Sequence, residues 1–176
     1  MLVKPAAPPV VPVTGTSPRA GSQKSGPVPD RLEVDSVDIS MPVVPVGVDQ
    51  NGDMGLPASV GEVGWYEFGA RPTDSRGTTV LAAHVDSRRD GLGPFARLRE
   101  VRSGDTISLT TSGRRTIRYR VDRVDRISKK TVPLADVFER EGAPRLVLIT
   151  CGGAYDRGTG YRDNVVVTAL PQSGRS

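Results

Sequence analysis

Along most of its length the chain alternates apolar and polar residues with a period of two, the repeat of a strand that buries one face. "RLEVDSVDI", from Arg31, opens the pattern, and "MPVVPVGVD" continues it as a second strand. Pro42 and Pro45 predict that this second strand lies at an edge, because proline cannot donate to a ladder. "NGDMGLP" carries turn chemistry, and "VGWYEFGARP", with the sole Trp, predicts a loop or short strand. "TTVLAAHV" breaks the alternation: it is a continuous apolar run of strand length that ends at His84, and it predicts a buried strand. After the loop "DSRRDGLG", "PFARLREV" predicts about two turns of helix and "RSGD" a turn into "TISLTT". Ser112 and Gly113 then turn the chain into the long alternating strand "RRTIRYRVDRVDRI", and "PLADVFER" predicts another short helix. "RLVLIT" and "NVVVTAL" are the last two strands, joined by a Gly-rich loop after Cys151.

Seven or eight short strands against two short helices, too closely spaced for regular βαβ units, predict an all-β fold. The candidates are a closed or nearly closed antiparallel barrel and a sandwich. The chain is long enough, at 176 residues, for one ordinary domain plus a tail. Residues 1–30 are rich in Pro, Ala and Ser without periodicity, so they predict an extended linker or stalk; residues 31–171 form the domain and residues 172–176 a C-terminal tail.

Composition narrows the function classes. With 36% hydrophobic residues, 15 Pro and 20 Gly, the chain is rich in turns, which favours β over α. The net charge of +4 does not point to nucleic acid: 20 acidic residues are interleaved with 24 basic ones, and the aromatic group Trp65, Tyr66 and Phe68 sits in a segment that is not basic. No nucleic-acid partner is expected. No stretch reaches the roughly 18 apolar residues of a membrane span, so a membrane would be reached only through an anchor outside this sequence. One cysteine and one histidine exclude an intramolecular disulfide and multi-cysteine zinc sites, and the acidic residues lack EF-hand spacing. No metal and no cofactor are expected.

The candidate chemistry starts from that lone thiol. Cys151 ends an apolar, β-branched run and is followed by Gly152 and Gly153, which would let backbone N–H groups approach an oxyanion at the sulfur. A free cysteine is equally a small buried hydrophobe, and the strand ending alone leaves both roles open. His84 stands in the same setting, at the end of an apolar strand before a loop. In a small barrel the two strands can be neighbours, and Cys–His pairing is a recognised nucleophile and base arrangement. Arg162, where "TGYRDN" enters the final strand, would return beside the thiol if the last two strands are adjacent and antiparallel. A surface pair with Asp163 or Asp156 is the alternative. Asp86 could orient the imidazole or cap a turn. Trp65 and Tyr66 could line a groove or clamp the N-terminal segment onto the barrel.

These segments carry a resemblance. "LVLITCGG" resembles the "TLxTC" signature of sortases, the surface cysteine transpeptidases of Gram-positive bacteria, with Val147 where the signature usually has Thr. "VLAAHVDSR" and "TGYRDNVVV" are similar to that family's His and Arg segments, in the same order, with Ala83 where Gly is frequent. "GWYEFGARP" and "GPFARLREVRSGD" look like the actinobacterial class F branch. The resemblance covers roughly residues 31–171. It implies a compact closed barrel of about eight strands, acting as a monomer on the outer side of the cell membrane. It also implies cleavage of an LPxTG-type sorting signal between Thr and Gly through a thioacyl enzyme, and transfer of the acyl group to an amine of a cell-wall precursor. By position, Cys151 would be the nucleophile and His84 the acid that protonates the leaving amine, while Arg162 would hold the oxyanion or the substrate carbonyl. Thr150 and Gly152 would contact substrate, although Thr150 reads equally as an ordinary strand residue. The rival reading is a non-catalytic barrel that binds wall or peptide ligands.

Overall fold

The period-two segments become the staves of a barrel. A computed structural model of the chain describes residues 26–128, 134–156 and 160–173. Most of the expected stalk, residues 1–25, and residues 174–176 of the tail lie outside these described residues. Strand β1 is Pro29–Val34, β2 Ile39–Val46, β3 Val63–Tyr66 and β4 Thr78–Ala83. A two-residue hairpin follows, β5 Asp86–Ser87 with β6 Gly91–Leu92. Then come β7 Thr106–Thr111, β8 Thr116–Ser128, the single helical turn α1 Leu134–Val137, β9 Arg145–Asp156 and β10 Gly160–Pro171.

Eight of these strands close in the order β1-β2-β3-β4-β9-β10-β8-β7, with β7 returning to β1. The barrel expected from the strand count is present, but two of its junctions are parallel, β2 with β3 and β4 with β9. Parallel neighbours need long crossovers, and residues 47–62 and 84–144 supply them. The β4–β9 junction matters most for the site, because parallel strands end side by side.

Three local expectations shift. "RLEVDSVDI" is not one strand: a 3-10 turn at Asp35–Val37, closed by Asp38 at φ 52°, divides β1 from β2. Nor is β2 a barrel edge. Its first half pairs with β1 (Arg31 opposite Pro42) and its second half with β3 (Pro45 opposite Trp65), so each proline sits where only one side of the strand is bonded. Finally, "PFARLRE" is a 3-10 helix over Pro94–Glu100. Phe95, Leu98 and Val101 are buried at a spacing of three, the period of a 3-10 rather than an α-helix.

The interior is filled from both sides by alternate residues: Leu32 and Val34, Met41, Leu81 and Ala83, Ile107 and Leu109, Leu146 and Leu148, Val165 and Val167, with Phe95 and Leu98 entering from the 3-10 helix. Trp65 is part of this core, and its indole N–H donates to the Ala70 carbonyl at 3.2 Å. A second apolar layer lies outside β3, β4, β9 and β10. It joins Val80, Ala82, Val147, Ile149 and Val166 to Met54, Tyr66 and Val137. Strands covered on both faces read as unbroken apolar runs. That is why "TTVLAA" does not alternate, and all six of its residues are buried.

Candidate active site

Strands β4 and β9 run in register from Thr78 opposite Arg145 to Ala83 opposite Thr150. His84 is the residue after Ala83 and Cys151 the residue after Thr150, so the two positions lie abreast at the next step of a parallel pair. At that last rung, Ala83 opposite Thr150, sixty-seven residues of sequence separation collapse to one strand spacing, about 5 Å. The Thr150 hydroxyl, 1% exposed, donates to the Ala83 carbonyl at 3.0 Å and ties the two strands together just before they reach His84 and Cys151.

On its other side β9 pairs antiparallel with β10, with Val165 opposite Thr150, Asn164 opposite Cys151 and Asp163 opposite Gly152. The strand does not end at Cys151: it continues to Asp156, and Tyr161 pairs with Tyr155. The glycines therefore belong to a strand rather than to a loop. Between these pairings the register shifts by one, so Arg162 faces the two residues Gly153 and Ala154 across a bulge. Bulges re-aim a strand and leave backbone groups outside the ladder. The side chains at Cys151 and Arg162, like Gly152, fall outside the described set, so the ladder fixes their positions by backbone alone.

Alternation defines which face the site occupies. Val80 and Ala82 on β4, Val147 and Ile149 on β9, and Val166 on β10 all pack in the outer apolar layer. Counting onward by two gives positions 84, 151 and 164, and then 162 on β10. By backbone position, 84 and 151 follow directly on the last rung of the β4–β9 pair at the end of that apolar floor, with 162 on the adjacent strand β10.

His84 is half-buried there, and burial pushes its imidazole below its ordinary pKa because the charged form loses solvent; the Asp86 carboxylate acts in the opposite direction. The site thus favours a neutral imidazole that a nearby anion can recharge. Asp86 itself begins the short β5–β6 hairpin.

One residue escaped the sequence reading. Asn164 is 0% exposed, and neither its amide nitrogen nor its amide oxygen has a hydrogen-bond partner among the described residues. The available signal was an amide at the head of the β-branched run "NVVV", a residue type that strands disfavour. Among the described residues no cluster of His, Cys, Asp and Glu could hold a metal ion.

The sequence model of the sortase domain matches residues 32–172, most of the chain. The chain belongs to the sortase family. That family consists of cysteine transpeptidases that act on sorting-signal peptides and amine acceptors at the extracytoplasmic surface. Solved structures agree in fold. Sortase C1 of Streptococcus agalactiae, in a complex with MTSET, superposes with a TM-score of 0.64 at 19% identity, over 84% of this chain and 68% of that one. Sortase A from Corynebacterium diphtheriae gives 0.63 at 19% identity, over 85% of this chain and 62% of that one. Sortase C-1 from Actinomyces oris gives 0.63 at 18% identity, over 82% and 73%. No curated protein matches this sortase by sequence. Among its described residues no helix is long and apolar enough to cross a membrane.

Proposed function

We propose that this sortase is a class F-like transpeptidase that cleaves an LPxTG-type sorting signal and joins the released acyl group to a cell-wall amine. The observation that supports the reading is the β4–β9 register, in which the residues just before His84 and Cys151, Ala83 and Thr150, stand opposite one another, with β10 alongside β9. The class F branch is supported by "GWYEFGARP" and "GPFARLREVRSGD".

In this mechanism the Cys151 thiolate attacks the Thr carbonyl of the signal, and the Arg162 guanidinium holds the oxyanion that forms. The C–N bond breaks as the His84 imidazolium gives its proton to the departing Gly amine, which leaves a thioester on Cys151. The incoming amine attacks that thioester, His84 takes the amine's proton, and sulfur departs again as thiolate. Gly152, beside the nucleophile, admits the substrate backbone. The Thr150 hydroxyl is already committed to Ala83 and serves the site by locking the two strands. The segment that precedes β1, which begins at Pro29, would act as a stalk holding the barrel off the membrane surface.

The test incubates the protein with an LPxTG peptide and a primary amine and follows the transfer product. Wild type should form it, and Cys151→Ala should lose it by a factor of about a thousand or more. Equal behaviour of the two would overturn the reading. Product lacking the amine, formed at the same rate with and without acceptor, would replace transfer with hydrolysis.

A further inference from the structure

Within that reading of the site, we propose that Asn164 is a positioning residue for the nucleophile, its buried side-chain amide donating an N–H to the Cys151 sulfur when it is a thiolate.

Asn164 is fully enclosed, yet both ends of its amide are unpartnered among the described residues. Leaving a buried amide unpaired is costly, so native structures rarely retain one without a use. Its surroundings limit what that use can be. Across β8 its ladder partner is Ile127, which packs in the outer apolar layer, and two residues along β10 stands Val166 of the same layer. The nearest β8 carboxylate, Asp125, is opposite Val166 and is held by Arg123 Nε at 3.0 Å. The remaining cross-strand neighbour is Cys151. Directly opposed positions of an antiparallel pair share a face at about 4.5–5.5 Å between Cβ atoms, within reach of an amide and a thiol.

The row across three strands is then His84, Cys151, Asn164. By backbone order, position 151 is flanked by the end of β4 on one side and by Asn164 of β10 on the other. An amide donor favours the thiolate over the thiol, since only the anion is a strong acceptor. It can do so without carrying charge and without competing for the His84 proton.

The test reads the thiol directly, by the rate of Cys151 alkylation with iodoacetamide as a function of pH, alongside thermal melting, in wild type, Asn164→Leu and Asn164→Asp. Leu matches the shape without a donor; Asp changes a single group and places an acceptor opposite the sulfur. The other charged groups around the position are His84 and Asp86 at the end of β4, Arg162 and Asp163 on β10, Asp156 on β9, and Asp125 on β8. None of them is altered, so a difference between variants reports the amide. The expected result is a rise in the alkylation midpoint of about one pH unit for Leu, a roughly tenfold loss of thiolate at neutral pH, and a larger rise for Asp. The Leu variant should melt no lower than wild type, because an unpaired polar group has been removed. A midpoint that stays put in both variants, whatever the melting temperature does, overturns the proposal. The alkylation readout needs no peptide substrate, so it stands or falls separately from the transfer assay with Cys151→Ala.

Discussion

The two ends of the β4–β9 pair are built in opposite ways. At the starting end every polar group in view is engaged. Gly77 N–H donates to the Gly142 carbonyl and Thr78 N–H to the Glu139 carbonyl, each at 2.8 Å. Arg145 Nε donates to the Thr78 hydroxyl at 2.9 Å, while its terminal nitrogen reaches the Asp136 carbonyl and stands 3.5 Å from Glu139. At the finishing end the described residues of the two strands share one side-chain bond, from Thr150 to the Ala83 carbonyl. Beyond it come a half-buried imidazole, an unpartnered amide and a bulge. The same two strands hold the barrel together at one end and carry the proposed catalytic positions at the other. Tension of this kind collects where a site needs groups unsatisfied until substrate arrives, and the surrounding structure must be firm enough to hold them.

The largest stability effect should therefore come from the firm end. Gly77 has φ 89°, and a Cβ there would stand 2.8 Å from the Arg140 carbonyl oxygen. Gly77→Ala meets both a left-handed backbone and a backbone atom that cannot swing aside. It should cost roughly 2–3 kcal/mol, or about 4–12 °C of melting temperature. The alkylation midpoint of Cys151 should stay unchanged at temperatures where the variant is folded. A shifted midpoint would mean that the two ends are not separable.

A smaller effect is expected at the single bond that closes the reactive end. Thr150→Val keeps the shape but removes the donor to the Ala83 carbonyl. Loss of one buried hydrogen bond corresponds to about 1 kcal/mol. Because this bond sets the spacing of the strands one residue before His84 and Cys151, peptide transfer should slow several-fold more than melting alone explains. Equal transfer rates at a lowered melting temperature would reduce Thr150 to a purely structural strand residue.

How far such contrasts can be read from sequence depends on their range. The strands of the barrel were legible because period-two burial is local, as in "TISLTT" and "TIRYRV", and the unbroken run "TTVLAA" marked the doubly covered strand. The parallel meeting of β4 and β9 across 67 residues, on which the proposed grouping of His84, Cys151 and Arg162 depends, is encoded by no local pattern and was expected only as one way a small barrel could bring two strand ends together. The division of β1 from β2 leaves only a small trace in the sequence: Val34 and Val37 are three apart, so the apolar alternation slips by one residue across the 3-10 turn and resumes at Ile39. The strand beyond Cys151 was hidden because "GGAYD" has turn composition, and cross-strand pairing with β10 overrides it. Asn164 was missed for a related reason: an Asn next to Asp at the start of a strand reads as turn chemistry until burial removes the water it would need.

The smallest effect concerns the charge on His84, and it has a definite sign. Burial holds the folded imidazole below the 6.5 of a free histidine, while Asp86 pulls it partly back. The unfolded chain then binds a proton at a higher pH than the folded one. This contribution to stability is fully present above about pH 6.5 and is lost as pH falls from there through the folded value. Asp86→Asn removes the restoring charge, so the folded value drops further and the loss on acidification continues to lower pH. His84→Gln should abolish that part of the pH slope. In peptide transfer, a thiolate and imidazolium pair titrates as one coupled unit and gives a bell-shaped profile. Lowering the histidine side of the pair moves the acid limb of kcat/KM to lower pH and reduces the height of the bell by a few-fold, because less of the enzyme carries both charges at once. An acid limb that moves upward in Asp86→Asn would assign that limb to a group other than His84. It would leave the carboxylate a part of the β5–β6 hairpin alone.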